Sequence, residues 1–287
     1  MQTETTIQTI PISQLLSQVQ LGDDGIYGYP FTNIKQAMEI ELREKVATAG
    51  YDNPIKKIAK HHSVPVMDFE VARFLRQIPE NARIVDVGGC WGWHWRKLQQ
   101  TRPDVQVFII DFVRANLLHA KALLGEDINQ SIFLIYGDAT DLRFPEESFD
   151  GYWSVQTLQH VVKLETALTE AHRVLKIGGA FANYSLNDAV VIRWLYRIVG
   201  RHYVNNGWVE GSYWLARASD EQKHMLESIF ETKVSERWSE ILYKPELRIS
   251  FPGREDSWLG RLDALLSNDI GFLGFLARQR SFHCRKA

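Results

Sequence analysis

Ile84-Val85-Asp86-Val87-Gly88-Gly89-Cys90-Trp91-Gly92 carries an apolar run into an acid and then into a glycine-rich turn, after which the sequence takes on a helical pattern. This is a nucleotide-binding strand-to-helix corner. Gly88, Gly89 and Gly92 tolerate positive φ and let the backbone come close to a ligand. A helix over roughly Trp93 to Gln100 would present its free N–H groups to the same space. Spacing selects among nucleotides. The dinucleotide fingerprint G-x-G-x-x-G, begun at Gly88, requires glycine where Cys90 and Trp93 stand, and beginning at Gly89 fails as well. A phosphate-cradling loop ending in Gly-Lys-Ser/Thr is absent.

Four further stretches follow in order. Val107-Phe108-Ile109-Ile110-Asp111 reads as a second buried strand ending in a carboxylate, where an acid can accept both hydroxyls of a ribose. Ile132-Phe133-Leu134-Ile135-Tyr136 reads as a third strand and runs into Gly137-Asp138-Ala139. Phe149-Asp150-Gly151-Tyr152-Trp153-Ser154-Val155-Gln156 reads as a fourth. Arg173 to Phe181 reads as a helix end, a Gly178-Gly179 turn and a fifth strand. Apolar runs alternating with helical segments at this spacing predict βαβ units, so the sheet is expected to be mostly parallel and covered on both faces. Ligands of such sheets bind beyond the carboxyl ends of the strands, and Asp86, Asp111 and Asp138 all fall at or just past those ends. Each acid also suits a second role, capping the turn or helix that follows it.

The acid, one residue and a glycine turn, followed by those four stretches, is similar to the class I S-adenosylmethionine (SAM)-dependent methyltransferases over roughly residues 82 to 185. The family's first motif is D-x-G-x-G-x-G, and Cys90 stands here at the middle glycine. The resemblance implies an α/β Rossmann-like sheet, mostly parallel with an antiparallel edge strand and with helices on both faces. It implies SAM as cofactor, with Asp86, Gly88, Gly89, Cys90 and Gly92 forming the turn around it and Asp111 holding the ribose. Asp138 and the Ala139 backbone N–H would read the adenine edge, and Ser154 and Gln156 lie in the fourth-strand signature. His160 follows in the loop that faces the methyl group in the family, which makes it the candidate general base or acceptor contact; a histidine there also serves as a helix cap or packing residue. His94 and Trp95 would support the methionine end of the cofactor or pack beneath it.

Composition narrows the alternatives. At 287 residues and 45% hydrophobic, the chain can bury a substantial core. Neither a membrane span nor a secretory signal is apparent, so a cytoplasmic location is expected. Cys90 and Cys284 cannot form a disulfide framework, and no metal site is indicated. A net charge of −2 without a long basic run gives no electrostatic footprint for nucleic acid.

Residues 1–80 read as an N-terminal arm, with Gly22-Asp23-Asp24-Gly25 as a loop, followed by helices from about Asn33 to Ala49 and from Asp68 to Leu75. Lys60-His61-His62-Ser63 precedes the latter, its histidines either lining the cofactor mouth or sitting solvated on a turn. Residues 81–287 form the methyltransferase domain. Within it, about 187–218 is an aromatic-rich insertion in which Trp194, Tyr196, Tyr203 and Trp208 alternate with arginines, suited either to a pocket or to a packed lid. Ser219-Asp220-Glu221-Gln222 reads as a capping box opening a helix to about Phe230. A strand over Glu231 to Trp238 and a last, edge-side strand over Ser281 to Cys284 are expected, with loops and one or two helices between them. The function expected is SAM-dependent methylation of a small or carbohydrate-like acceptor at oxygen or nitrogen. The alternatives are a non-catalytic SAM-binding module of the same fold and a nicotinamide-dependent oxidoreductase.

Overall fold

Arg83–Val87 has no exposed residue, so this short run must lie in the middle of a sheet with both faces covered. The computed structural model describes residues 10–30, 53–187, 194, 195, 197, 198, 200, 220–247 and 249–287. Its strands are β1 (Gln20–Leu21), β2 (Tyr27–Gly28), β3 (Arg83–Val87), β4 (Gln106–Asp111), β5 (Ile132–Tyr136), β6 (Phe149–Val155), β7 (Leu175–Leu186), β8 (Ser235–Ser239) and β9 (Gln279–Arg285). They form one sheet in the order β1-β2-β5-β4-β3-β6-β7-β9-β8. β2, β5, β4, β3, β6 and β7 run parallel, whereas β9 is antiparallel to both β7 and β8. The order turns back on itself at β3, so the ends of β3, β4 and β6 open onto one crevice.

Side-chain alternation along the strands divides the core in two. Val85, Val87, Phe108, Ile110 and Phe133 pack against Leu168 and Ala171 of the helix Leu164–Val174 and against Leu226 and Phe230 of the helix Asp220–Phe230. Ile84, Val107, Ile109, Leu134 and Trp153 pack on the other face, against Met67, Val71 and Phe74 of the helix Val64–Leu75 and against Leu117 and Ala120 of the helix Arg114–Leu124.

Three elements differ from the sequence-based expectation. The stretch after the glycine turn is a 3-10 turn, Trp93–Trp95, and a separate short helix, Leu98–Thr101. Trp93, His94 and Trp95 are all buried, at 3%, 7% and 0% exposure, and consecutive residues of an α-helix spread over too wide an arc for a surface helix to bury three in a row. The last strand is not at the edge: β9 lies between β7 and β8, and β8 takes the edge. Its polar residues find partners inside, since His283 meets Arg73 at 3.2 Å and Ser281 Oγ at 2.8 Å, and buried Glu70 joins Arg73 to Arg237. The arm is also more than a loop. Around Gly22 to Gly25 it folds into a hairpin whose second strand, β2, pairs with β5 through Tyr27↔Ile135 and Gly28↔Tyr136. The expected helix at 33–49 and most of the aromatic insertion, Tyr203 and Trp208 included, lie outside the described residues.

Candidate active site

The turn that leaves β3 is shaped by close approach. A Cβ at Gly88, where φ is +74°, would stand 2.1 Å from the Thr157 side chain, so the first glycine lets the loop after β6 close onto the loop after β3. Cys90 takes φ +51° in the position of the family's middle glycine, so the backbone path is kept with a side chain in place, at a cost of about 1 kcal/mol. Its N–H donates to Asp111 Oδ2 at 3.0 Å. Asp111 Oδ1 accepts from the Val113 N–H at 2.8 Å and lies 3.4 Å from Asn116 Nδ2, and Asn116 Oδ1 accepts from Trp91 Nε1 at 3.2 Å. The carboxylate closing β4 thus ties the glycine turn to the helix Arg114–Leu124, and Asp111 stands beside the loop as the sequence predicts.

Asp86 is fully buried beneath the turn. Its Oδ2 accepts from Trp95 Nε1 at 2.7 Å, and a Cβ at Gly89 would lie 2.5 Å from that same oxygen. Oδ1 has no protein partner. Burial pushes the carboxyl up to about 7, opposed by the Trp95 hydrogen bond and assisted by the charge of Asp111. Asp86 thus lies beneath the glycine turn and ties it to the Trp95 indole.

The third acid closes the turn after β5. Asp138 Oδ1 accepts from the Thr140 N–H and hydroxyl at 2.8 and 2.9 Å. The Asp138 N–H donates to Tyr29 Oη at 2.9 Å, and the Tyr29 hydroxyl in turn donates to the Asp141 carbonyl. Gly137 is required here, since a Cβ would lie 2.7 Å from Tyr29 Oη. Tyr29 was not legible in the sequence: nothing local to Tyr27-Gly28-Tyr29-Pro30 shows that β2 joins β5. Tyr29→Phe removes one acceptor and one donor from the turn and should weaken SAM binding about fivefold, the worth of one ordinary hydrogen bond. Calorimetry would read this, and an affinity equal to that of the parent would show that the turn holds its shape without the phenol.

The remaining predicted residues divide. Ala139 is buried beside Asp138. The Ser154 hydroxyl donates to the Val87 carbonyl at 2.9 Å, joining β6 to the end of β3, so it contributes the position of the turn rather than a free hydroxyl. Gln156 has φ +52° and a buried Nε2 without a protein partner. His160 lies in the 3-10 turn Leu158–His160 at the same end of the sheet, its Nε2 3.2 Å from Gln159 Nε2, while Gln159 Oε1 accepts from the Leu186 N–H. His61 is exposed, but His62 is drawn inward, its Nδ1 buried. A glycine cradle whose Cβ positions are filled by neighbours, flanked by Asp111 and Asp138, fits an adenosyl group with an amino-acid tail. Among the described residues no group of three or more His, Cys, Asp or Glu could hold a metal ion, and no helix is long and apolar enough to cross a membrane.

Residues 85–183 match the family model described as a methyltransferase domain. The ubiquinone/menaquinone biosynthesis C-methyltransferase UbiE of Methylobacterium nodulans is 35% identical over 100 residues, 34% of this chain and 40% of that protein. The mitochondrial 2-methoxy-6-polyprenyl-1,4-benzoquinol methylase of Arabidopsis thaliana is 34% identical over 92 residues, 31% of this chain and 32% of that protein. The match therefore spans well under half of these relatives. Among solved structures, a SAM-dependent methyltransferase of Thermotoga maritima superposes with a TM-score of 0.53 at 16% identity, covering 80% of this chain and 92% of the other. A chain solved in complex with the Haloferax volcanii Trm112 methyltransferase activator gives 0.52 at 19% identity, covering 85% and 96%. At these identities the likeness speaks for the fold.

Proposed function

We propose that this chain transfers a methyl group from SAM to a small hydroxylated aromatic molecule, since residues 85–183 match a methyltransferase-domain model and the fold is Rossmann-like of class I. The observation that carries the reading is the join of β3, β4 and β6 around one glycine cradle, with the Asp111 carboxylate fixed by the Cys90 N–H. The bound cofactor supplies an electrophilic methyl group on a sulfonium, and the protein's share is to bind, align and desolvate. In this reading Asp111 accepts the ribose hydroxyls, and the turn held by Tyr29 presents the Asp138 and Ala139 region to the adenine. Gly88, Gly89, Cys90 and Gly92 pass along the cofactor's length. His160 stands in the loop on the acceptor side as a proposed acceptor contact.

The relatives named as quinone and quinol methylases favour an aromatic ring over the carbohydrate-like acceptor that the sequence alone suggested, and a ring carbon over oxygen or nitrogen. A small acceptor rather than nucleic acid accords with the net charge of −2. A cytoplasmic location rests on the two free cysteines. The test is calorimetry with SAM and S-adenosylhomocysteine, followed by methyl transfer from labelled SAM to a panel of hydroquinones, phenols, amines and sugars. Transfer to hydroquinones with little to sugars is expected. Absence of binding by either cofactor form overturns the reading, and binding without transfer to any acceptor leaves a SAM-binding module.

A further inference from the structure

The helix Trp258–Leu266 is amphipathic in the reverse of the usual sense. Its buried face carries Gly260, Asp263 and Ala264, with Ser257 and Ser267 buried at its two ends, whereas Trp258, Leu262 and Leu265 are exposed with Arg261 among them, at the i, i+3, i+4, i+7 spacing of one helical stripe. The apolar surface continues past the helix. Ile270, Phe272 and Phe275 are 86%, 64% and 61% exposed. The Asn268 side-chain amide joins the two parts, donating to the Leu266 and Phe272 carbonyls at 3.0 and 2.8 Å. Exposed apolar groups in such number mark a surface for a protein or a membrane. We propose that this face docks on a lipid bilayer containing anionic lipid, with the six apolar side chains entering the headgroup boundary and Arg261 meeting a phosphate.

The orientation is built into the fold. Burial of apolar area alone would turn Leu262 and Leu265 inward. The Asp263 carboxylate holds the helix the other way: Oδ1 accepts from the Ile241 and Leu242 N–H groups at 2.7 and 3.0 Å, and Oδ2 from the Tyr243 N–H at 3.1 Å. Rotating the helix would strand three backbone donors, each at a cost of about 1 to 3 kcal/mol. Gly260 fixes the same face by close approach, since a Cβ there would stand 2.2 Å from the Pro252 carbonyl and 2.7 Å from Pro65 Cγ. The surface also adjoins the ligand end of the sheet. Asn187, directly after the carboxyl end of β7, donates from Nδ2 to the Gly274 and Ala277 carbonyls at 3.1 and 2.9 Å, which ties the loop bearing Phe272 and Phe275 to the end where ligands of this fold bind.

Charge selects the occupant. The acids beside the stripe in sequence are already paired: Asp256 with Arg254 at 2.9 Å, Glu255 with Arg96 at 2.8 Å and Asp269 with Arg237 at 2.8 Å. Arg261, in the middle of the apolar stripe, makes no ion pair with a described residue. Whatever covers the face must therefore bring apolar matter and negative charge together. A second copy in two-fold contact would bring a second Arg261 and no free acid, leaving two cations desolvated against each other. An anionic bilayer brings both: indole and phenyl rings settle at the headgroup boundary, and a guanidinium stays level with the phosphates while its stem lies along apolar surface.

Flotation of the full chain with lipid vesicles tests this without cofactor or acceptor, so the result is independent of the methyl-transfer reading. Binding to vesicles of phosphatidylcholine and phosphatidylglycerol in equal parts is expected to be about fivefold tighter than to phosphatidylcholine alone, the worth of one cation beside an anionic surface. Arg261→Gln should remove that difference. Leu265→Ser and Ile270→Ser should each weaken binding about tenfold or more. Both should melt within about 2 °C of the parent, because neither side chain is packed. No binding to either vesicle, equal binding to both, a charge preference that survives Arg261→Gln, or parent-like binding by the two serine variants would overturn the proposal. Sedimentation velocity covers the other occupant: a parent dimer that Leu265→Ser converts to monomer would give the face to a second copy and overturn it as well.

Discussion

At pH 8, Asp86→Asn is expected to melt about 8 °C above the parent protein, although it alters the acid of the cofactor motif. Burial raises this carboxyl from near 3.8 to about 7, so holding it ionised in the folded state costs on the order of 4 kcal/mol relative to the unfolded chain. The sign follows from proton counting. Between about pH 4 and pH 7 the folded state holds the proton more tightly than the unfolded one, so stability falls as pH rises through that window, and the full cost is present above it. Asparagine keeps an acceptor for Trp95 Nε1 and has nothing to ionise. The advantage of the variant should therefore shrink to nothing below about pH 4. Melting curves of both proteins across pH 4 to 9, without cofactor, give the comparison, and a gap that does not change with pH would rule out the buried carboxyl as its source.

Asp111→Ala should lose about 1.5 to 3 kcal/mol of SAM affinity, roughly ten- to 150-fold, because the proposed charged acceptor of the ribose hydroxyls is removed. It should also soften the site before any ligand arrives. The Cys90 N–H and the Val113 N–H both end on this carboxylate, and Cys90 holds a left-handed backbone. Calorimetry and a melting curve on the same variant separate the two effects. Unchanged affinity would count against the placement of β4 beside the cofactor turn.

What could be read in the sequence and what could not are divided by range along the chain. The central parallel strands β3, β4 and β5 were legible because each is a short apolar run closed by a distinctive residue: Asp86 one position before the end of β3, Asp111 at the end of β4, and Gly137-Asp138 just after β5. The helix Asp220–Phe230 followed from local charge and capping pattern. The interruption at Arg96 and Lys97 was not legible, because Trp93, His94 and Trp95 are buried by partners outside the run: Asp86 for one indole, the rings of His62 and Trp153 for the others. β9 looked like an edge strand because its polar residues are satisfied by Arg73, which lies more than two hundred residues earlier. Tyr29 was missed as a site residue for the same reason, since pairing across the fold leaves no local pattern.

The hairpin laid along β5 places the leader and the cofactor turn in a single equilibrium. Tyr29 reaches the 138–141 turn only while β2 is paired, so a ligand that favours the ordered turn also favours the docked leader. Thermodynamic reciprocity then requires that docking the leader raise the ligand's affinity by the same factor by which the ligand raises docking. Anything that competes for β2 would accordingly act as an antagonist of cofactor loading from the far edge of the sheet, without touching the nucleotide.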